Sequence, residues 1–222
     1  MRNKTWLFHF FLFFICLMGC TSNSAKFDTK ELIDYFGTKN IKYKLVNNVL
    51  NISVTNSKLI EREYIANKEV VSEGFEAYAS IGAIIATSSL KESQHNFDSI
   101  IFCINNRCYN YSIPLIEKMD NYINLSIKFL RSWEKKEYNL AKSYLSDELL
   151  KEFSNVEMLQ QALSNIIPNK GIKDIKFNSF RVRGNVLGIS INTYFEDEIA
   201  QTYIFSFLLS NAKYQIAGIT IP

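Results

Sequence analysis

Val186-Leu187-Gly188-Ile189-Ser190-Ile191-Asn192-Thr193-Tyr194-Phe195 alternates apolar residues with small or polar ones along its whole length. A period of two belongs to a strand with one buried face, because successive side chains leave a pleated backbone on opposite sides. Lys173–Arg183, Ile199–Leu209 and Lys213–Ile221 repeat the pattern. The intervening Arg183-Gly184-Asn185, Glu196-Asp197-Glu198 and Ser210-Asn211-Ala212 are turn-forming. Four strands joined by short turns predict an antiparallel meander. Phe177, Leu187, Ile189, Ile191, Tyr203, Phe205 and Phe207 fall on its expected inner face.

Upstream of the meander the period is helical. Tyr122, Leu125, Phe129, Leu130 and Trp133 make one apolar stripe, and Glu134-Lys135-Lys136-Glu137 ends it. Asn139, Ser146 and Asn155 are each placed to cap a short helix with a side-chain oxygen. Asp147 and Glu148 add favourable charge to the first turn after Ser146. Helices first and strands last is an α+β order.

The first half has its own alternation of elements. A helix is predicted over Asp28–Phe36, with Gly37 as its terminator. Ile41, Tyr43 and Leu45 alternate, Asn47-Asn48 turns, and Leu50, Ile52 and Val54 alternate again. A long helix is expected from about Glu61 to Leu90, through Val70, Val71, Phe75, Tyr78, Ile81, Ile84 and Ile85. Gly74, Ala77, Ala79, Gly82, Ala83 and Ala86 keep it slim enough to lie close to a sheet. Glu76 and the short apolar length argue against a membrane span. The order helix, hairpin, helix, hairpin suits four antiparallel strands with helices on one face. Pro114 and the run to Met119 mark a seam, which divides the body into residues 28–118 and 120–222.

Cys103 and Cys108 flank the second hairpin of that half. Asn105-Asn106 reads as its two-residue turn, since Asn tolerates positive φ. Ile104 then pairs with Arg107, and Cys103 faces Cys108 at a non-hydrogen-bonded position with α-carbons about 4.5 Å apart. A structural disulfide is the expected state, with two free thiols as the alternative. Closing so small a loop contributes roughly 2 kcal/mol at most. A tetrahedral metal site wants four ligands and finds only two here. The C-x4-C spacing is also not that of a redox C-x-x-C pair.

The chain's start carries its most specific signal. Arg2 and Lys4 precede an apolar run from Trp6 to Met18, broken only by His9, and Leu17-Met18-Gly19-Cys20 closes it. Such an n-region, h-region and small-residue end describe an export signal too short to span a bilayer. The tetrapeptide resembles a bacterial lipoprotein lipobox. The resemblance implies cleavage after Gly19, leaving residues 1–19 as signal peptide and 20–27 as a lipidated leader. It also implies acylation of Cys20 and membrane attachment through it. Thr21 after the cysteine resembles signals sent on to an outer membrane, and so to its periplasmic face in a Gram-negative cell. Removing the signal changes the charge balance from +3 to 23 basic against 22 acidic side chains. A nearly neutral body without a basic stripe gives no support to nucleic-acid binding.

The second half resembles the nuclear-transport-factor-two-like, or cystatin-like, cone. The residues behind this are Phe129-x-x-x-Trp133, Tyr138-x-x-Ala141-x-x-Tyr144-Leu145-Ser146 and the long hairpins after Gly171. The resemblance implies a curved sheet wrapped on a long helix, often with a pocket at its open end, and in some members a homodimer through the outer sheet face. Family members include isomerases, dehydratases and noncatalytic binding modules, so fold does not select an activity.

Groups that could do chemistry are few. His95, the one histidine after the signal, sits in a polar connection, and no nucleophile elbow, P-loop, dinucleotide fingerprint or H-E-x-x-H is present. Asp174 lies near the start of the first strand of the meander, and the acidic turn Glu196-Asp197-Glu198 lacks the spaced oxygens of a calcium loop. No catalytic residue, metal ligand or cofactor is assigned. The expected function is a membrane-tethered, noncatalytic binding module of the cell envelope with an unidentified envelope or protein partner. The alternatives are a small-molecule or enzymatic pocket in the cone, or an immunity lipoprotein that inhibits a secreted toxin.

Overall fold

The computed structural model describes residues 27–67, 72–91, 97–153, 155–168, 170–197, 199–211 and 213–222. The lipobox Leu17-Met18-Gly19-Cys20, with Val70, Val71, His95, Asn169, Glu198 and Ala212, lies outside them. The fold is α+β with two four-stranded sheets.

The first half runs α1 (Lys30–Phe36), β1 (Ile41–Val46), β2 (Val49–Val54), α2 (Lys58–Asn67), α3 (Ser72–Lys91), β3 (Ser99–Ile104) and β4 (Arg107–Ser112). Gly37 ends α1 in the left-handed conformation, φ 62°. Asn47-Asn48 and Asn105-Asn106 turn the two hairpins with positive φ at all four positions. The sheet order is β1-β2-β3-β4. Its central pair, β2 with β3, is parallel. This corrects the expectation of four antiparallel strands: α2 and α3 carry the chain back to the end where β2 began, and such a helical crossover yields parallel neighbours. The expected single helix from Glu61 to Leu90 is α2 and α3, with residues 68–71 between them outside the described residues.

α3 explains why its sequence is so rich in small residues. It packs against β3 and β4 and also against β5 of the second half. Its deepest apolar side chains are Ala79, Ala83 and Ala86, with Phe75 and Leu90 nearly as buried, while Ile81, Ile84 and Ile85 are only partly covered. A helix with protein on two sides cannot present bulky residues to both and keep its axis close to each.

The second half runs α4 (Ile113–Glu117), α5 (Met119–Glu134), α6 (Tyr138–Ser143), α7 (Asp147–Leu150), α8 (Val156–Ser164), then β5 (Ile172–Arg183), β6 (Val186–Phe195), β7 (Ala200–Leu208) and β8 (Ile216–Thr220). α4 and α5 meet at Lys118. Ser146 and Asn155 cap α7 and α8 by accepting from the Leu149 and Met158 amides. α6 instead begins at Tyr138, with Asn139 in its first turn. The four strands pair in sequence order, all antiparallel.

α5 fills the inner face of this sheet. Phe129 meets Phe205 edge-on at 5.9 Å and lies parallel to Trp133, and Tyr122 packs on Phe207 at 4.9 Å. Leu187, Ile189, Ile191, Tyr203, Phe205 and Phe207 are buried as expected. Burying side chains of this size contributes about 1.5–3 kcal/mol each, which makes this layer a main source of stability. Phe177 is only half-buried, because a bulge between Phe177 and Ser179 shifts the register and turns Phe180 inward, leaving Phe180 buried beside Ile172 at the strand's start. The buried apolar residues of both halves form one continuous core.

Candidate functional site

A cleft of about 460 Å³ opens where the two halves meet. Ser99 and Ser112 face each other across the β3–β4 ladder, and Asn110 follows two residues away on the same face. Their hydroxyls and amide form one wall. Pro114 and Leu115 of α4, Val182 of β5 and Leu209 after β7 add apolar surface, and Lys118 supplies an ammonium group at the link between α4 and α5. No carboxylate lines the cleft among the described residues.

Two tyrosines shape its floor. Tyr111 is buried, and its hydroxyl donates to the Glu76 carbonyl at 3.2 Å. Burial, and then the Glu76 charge, hold its pKa far above the usual tyrosine value. Tyr122 is wedged between Phe207 and Tyr214, both at 4.9 Å. Its pKa is raised by burial and by the neighbouring Tyr214. With apolar walls on one side and hydroxyl, amide and ammonium groups on the other, the cleft suits an amphipathic ligand.

Beside it lies a charge cluster that holds the halves together. The Glu76 carboxylate, 8% exposed, accepts from Arg183 at 2.7 and 3.2 Å and pairs with Arg181 at 3.2 Å. Arg107 lies over the Phe75 ring at 4.6 Å. Ser80 of α3 completes the contact by accepting the Phe180 amide at 3.2 Å while donating to Ala77. Tyr109 stands among these groups, its pKa raised by burial and by Glu76 against the opposing pull of the three arginines. Sequence reading noted Glu76 only as an interruption in an apolar run. Its partner Arg183 lies 107 positions away, with Arg181 beside it, and no local pattern points to either.

The cysteines join as expected. Cys103 and Cys108 form a disulfide with α-carbons 4.0 Å apart, on the sheet face that points away from the buried residues of β3. The acidic candidates are placed apart from the cleft. Asp174 pairs with Lys176 at 3.1 Å, and that hydrogen bond lowers its pKa. Asp197 pairs with Lys170 and is lowered likewise. Among the described residues no group of three or more His, Cys, Asp or Glu side chains could hold a metal. Also among them, no helix is long and apolar enough to cross a membrane.

No family model and no curated protein matches the chain. Among solved structures it is similar to that of Bdellovibrio bacteriovorus Bd1075, at 11% identity and a TM-score of 0.35. That alignment covers 90% of this chain and 66% of the other, less than two thirds of its length. A likeness at that score carries no argument about fold or function.

Proposed function

We propose that the chain is a lipid-anchored lipoprotein of the cell envelope whose body is a noncatalytic binding module, with the cleft between its halves as the binding surface. The observation that carries the binding reading is the contrast between cone and cleft. The inner face of the second sheet is filled by Phe129, Tyr203, Phe205 and Phe207, whereas the cleft is open and built from both halves. Its hydroxyls are not paired with a general base in its lining, and its groups suit recognition better than proton transfer.

The tether rests on Leu17-Met18-Gly19-Cys20. The disulfide supports an oxidising location outside the cytoplasm. α5 followed by the four-strand meander supports the cone-like reading of the second half.

Membrane fractionation tests the tether. Cys20→Ala is expected to leave the membrane fraction, and its retention there would contradict the proposal. A photo-crosslinker at Asn110 tests the surface in intact membranes. A specific adduct, lost when the crosslinker is moved to exposed Lys173, is the expected result; identical adducts from both positions would refute a role for the cleft.

A further inference from the structure

The edges of the two sheets are not treated alike. α3 covers β5, where Ser80 takes up the Phe180 amide. The α6–α7 connection covers β8 through backbone bonds from Ile216 to Tyr144 and from Ser146 to Ile216. Among the described residues no strand or helix pairs with the outer edge of β1; Phe27 meets the Tyr43 ring edge-on at 5.2 Å, and five of the six β1 residues are exposed.

The hairpin register identifies its free groups. With Asn47-Asn48 as a two-residue turn, Val46 and Val49 form the closing hydrogen-bonded pair, and such pairs then alternate along the ladder. The bond from the Thr55 amide to the Asn40 carbonyl fits this phase. Lys42, Lys44 and Val46 therefore direct their backbone groups to β2. Ile41, Tyr43 and Leu45 direct theirs outward, leaving three N–H and three C=O groups for an incoming strand.

The side chains of β1 divide by face. Ile41, Tyr43 and Leu45 lie on the side of Val54, Ile52 and Leu50, with Tyr43 and Leu45 exposed at 41% and 47%. Lys42 and Lys44 lie on the other face, exposed, and neither has an ion pair among the described residues. A second copy is a poor occupant. The antiparallel registers that overlap most of β1 and keep both copies' apolar residues on one face, with Tyr43 opposite Ile41, Tyr43 or Leu45, set lysine opposite lysine, which is destabilising.

We propose that β1 is a docking edge for an extended segment of another protein, added as an antiparallel strand, in which apolar and acidic residues alternate. Main-chain bonds to Ile41, Tyr43 and Leu45 supply affinity, and side chains on alternate faces supply selectivity. Residues opposite Lys42 and Lys44 occupy non-hydrogen-bonded pairs, where side chains approach most closely, so carboxylates belong there. Apolar residues belong opposite Ile41, Tyr43 and Leu45. This deepens the binding-module reading and rests on it, but it does not depend on the anchor.

The test uses the full chain carrying Cys20→Ser and fluorescein-labelled acetyl-Ser-Val-Glu-Val-Glu-Val-Ser-amide, followed by fluorescence anisotropy. Saturable binding is expected. Lys42→Glu with Lys44→Glu should weaken it about tenfold and confer binding of the Lys-for-Glu peptide, since two attractive pairs become repulsive. These positions are exposed, and an unchanged circular dichroism melt verifies the fold. N-methylation of the valines should abolish binding, whereas N-methylation of the glutamates, whose N–H groups point away from β1, should spare it. Absence of binding, indifference to valine methylation or an unchanged charge preference would each overturn the proposal. So would lysine-dependent binding to mixed phosphatidylglycerol–phosphatidylcholine vesicles without peptide binding, which would make the strand a lipid-facing surface. Failure of Cys20→Ala to leave the membrane refutes the anchor alone and is read in a separate assay.

Discussion

A β-carbon added to Gly82 would stand 2.4 Å from the tip of the Phe102 ring. Phe102 is fully buried and stacked on Phe36 at 5.6 Å, so it has little room to retreat. This single approach sets how closely α3 lies on the first sheet. Gly82→Ala should therefore destabilise the protein by about 1–3 kcal/mol through overpacking, although alanine favours a helix by up to about 1 kcal/mol over glycine. Urea unfolding measures the balance. A more stable variant would mean that α3 and β3 are not in this contact.

The link from Glu76 to Arg183 joins α3 to β5. Glu76→Gln should cost about 1–2 kcal/mol, toward the low end for charge-assisted bonds because both guanidinium groups keep contact with water. A double-mutant cycle with Arg183→Gln should show coupling between the two sites. Strict additivity would mean that the pair does not form in solution.

The Thr193 hydroxyl is buried in the second sheet and has no hydrogen-bond partner among the described residues. Replacing it with an isosteric methyl removes an unmet polar group from an apolar layer. Thr193→Val should raise stability by about 1 kcal/mol, read from the denaturation midpoint. A loss of stability would show that the hydroxyl has a partner.

Stability should fall in alkali. Burial raises Tyr35 and Tyr203 to about 12 and moves Tyr111 further in the same direction. A raised pKa means the folded chain holds these protons more tightly than the unfolded chain does. The contribution is therefore complete below pH 10, the ordinary tyrosine value, and is lost as pH rises toward 12 and beyond. Thermal melts from pH 9 to 12 should show the decline. Tyr203→Phe should flatten it by removing one titrating phenol, at little other cost because the hydroxyl's contact with the Ile166 carbonyl is long at 3.5 Å. An unchanged slope would contradict a role for Tyr203.

Local chemistry was legible wherever one short stretch decides the outcome. Asn47-Asn48 and Asn105-Asn106 turn with positive φ, Ser146 and Asn155 cap their helices, and Val186–Phe195 is a strand over that span. The cysteine register followed from turn length alone. The cleft was not legible, because Ser99, Lys118, Val182 and Leu209 come from four separate segments. The bulge that turns Phe180 inward was hidden as well, since an alternating pattern looks the same until an extra residue shifts it.

By itself the sequence determined the hairpin turns, the caps at Ser146 and Asn155, the inner faces of β6 and β7 and the disulfide register, and it alone carries the lipobox-like Leu17-Met18-Gly19-Cys20. Each of these depends on neighbours a few residues apart. Tertiary structure decided the parallel pairing of β2 with β3, the wedging of α3 between the sheets and the partners of Glu76. It also decided that, among the described residues, no strand or helix pairs with the outer edge of β1. These depend on close packing and charge pairing between segments far apart in the chain, which only the assembled core brings together.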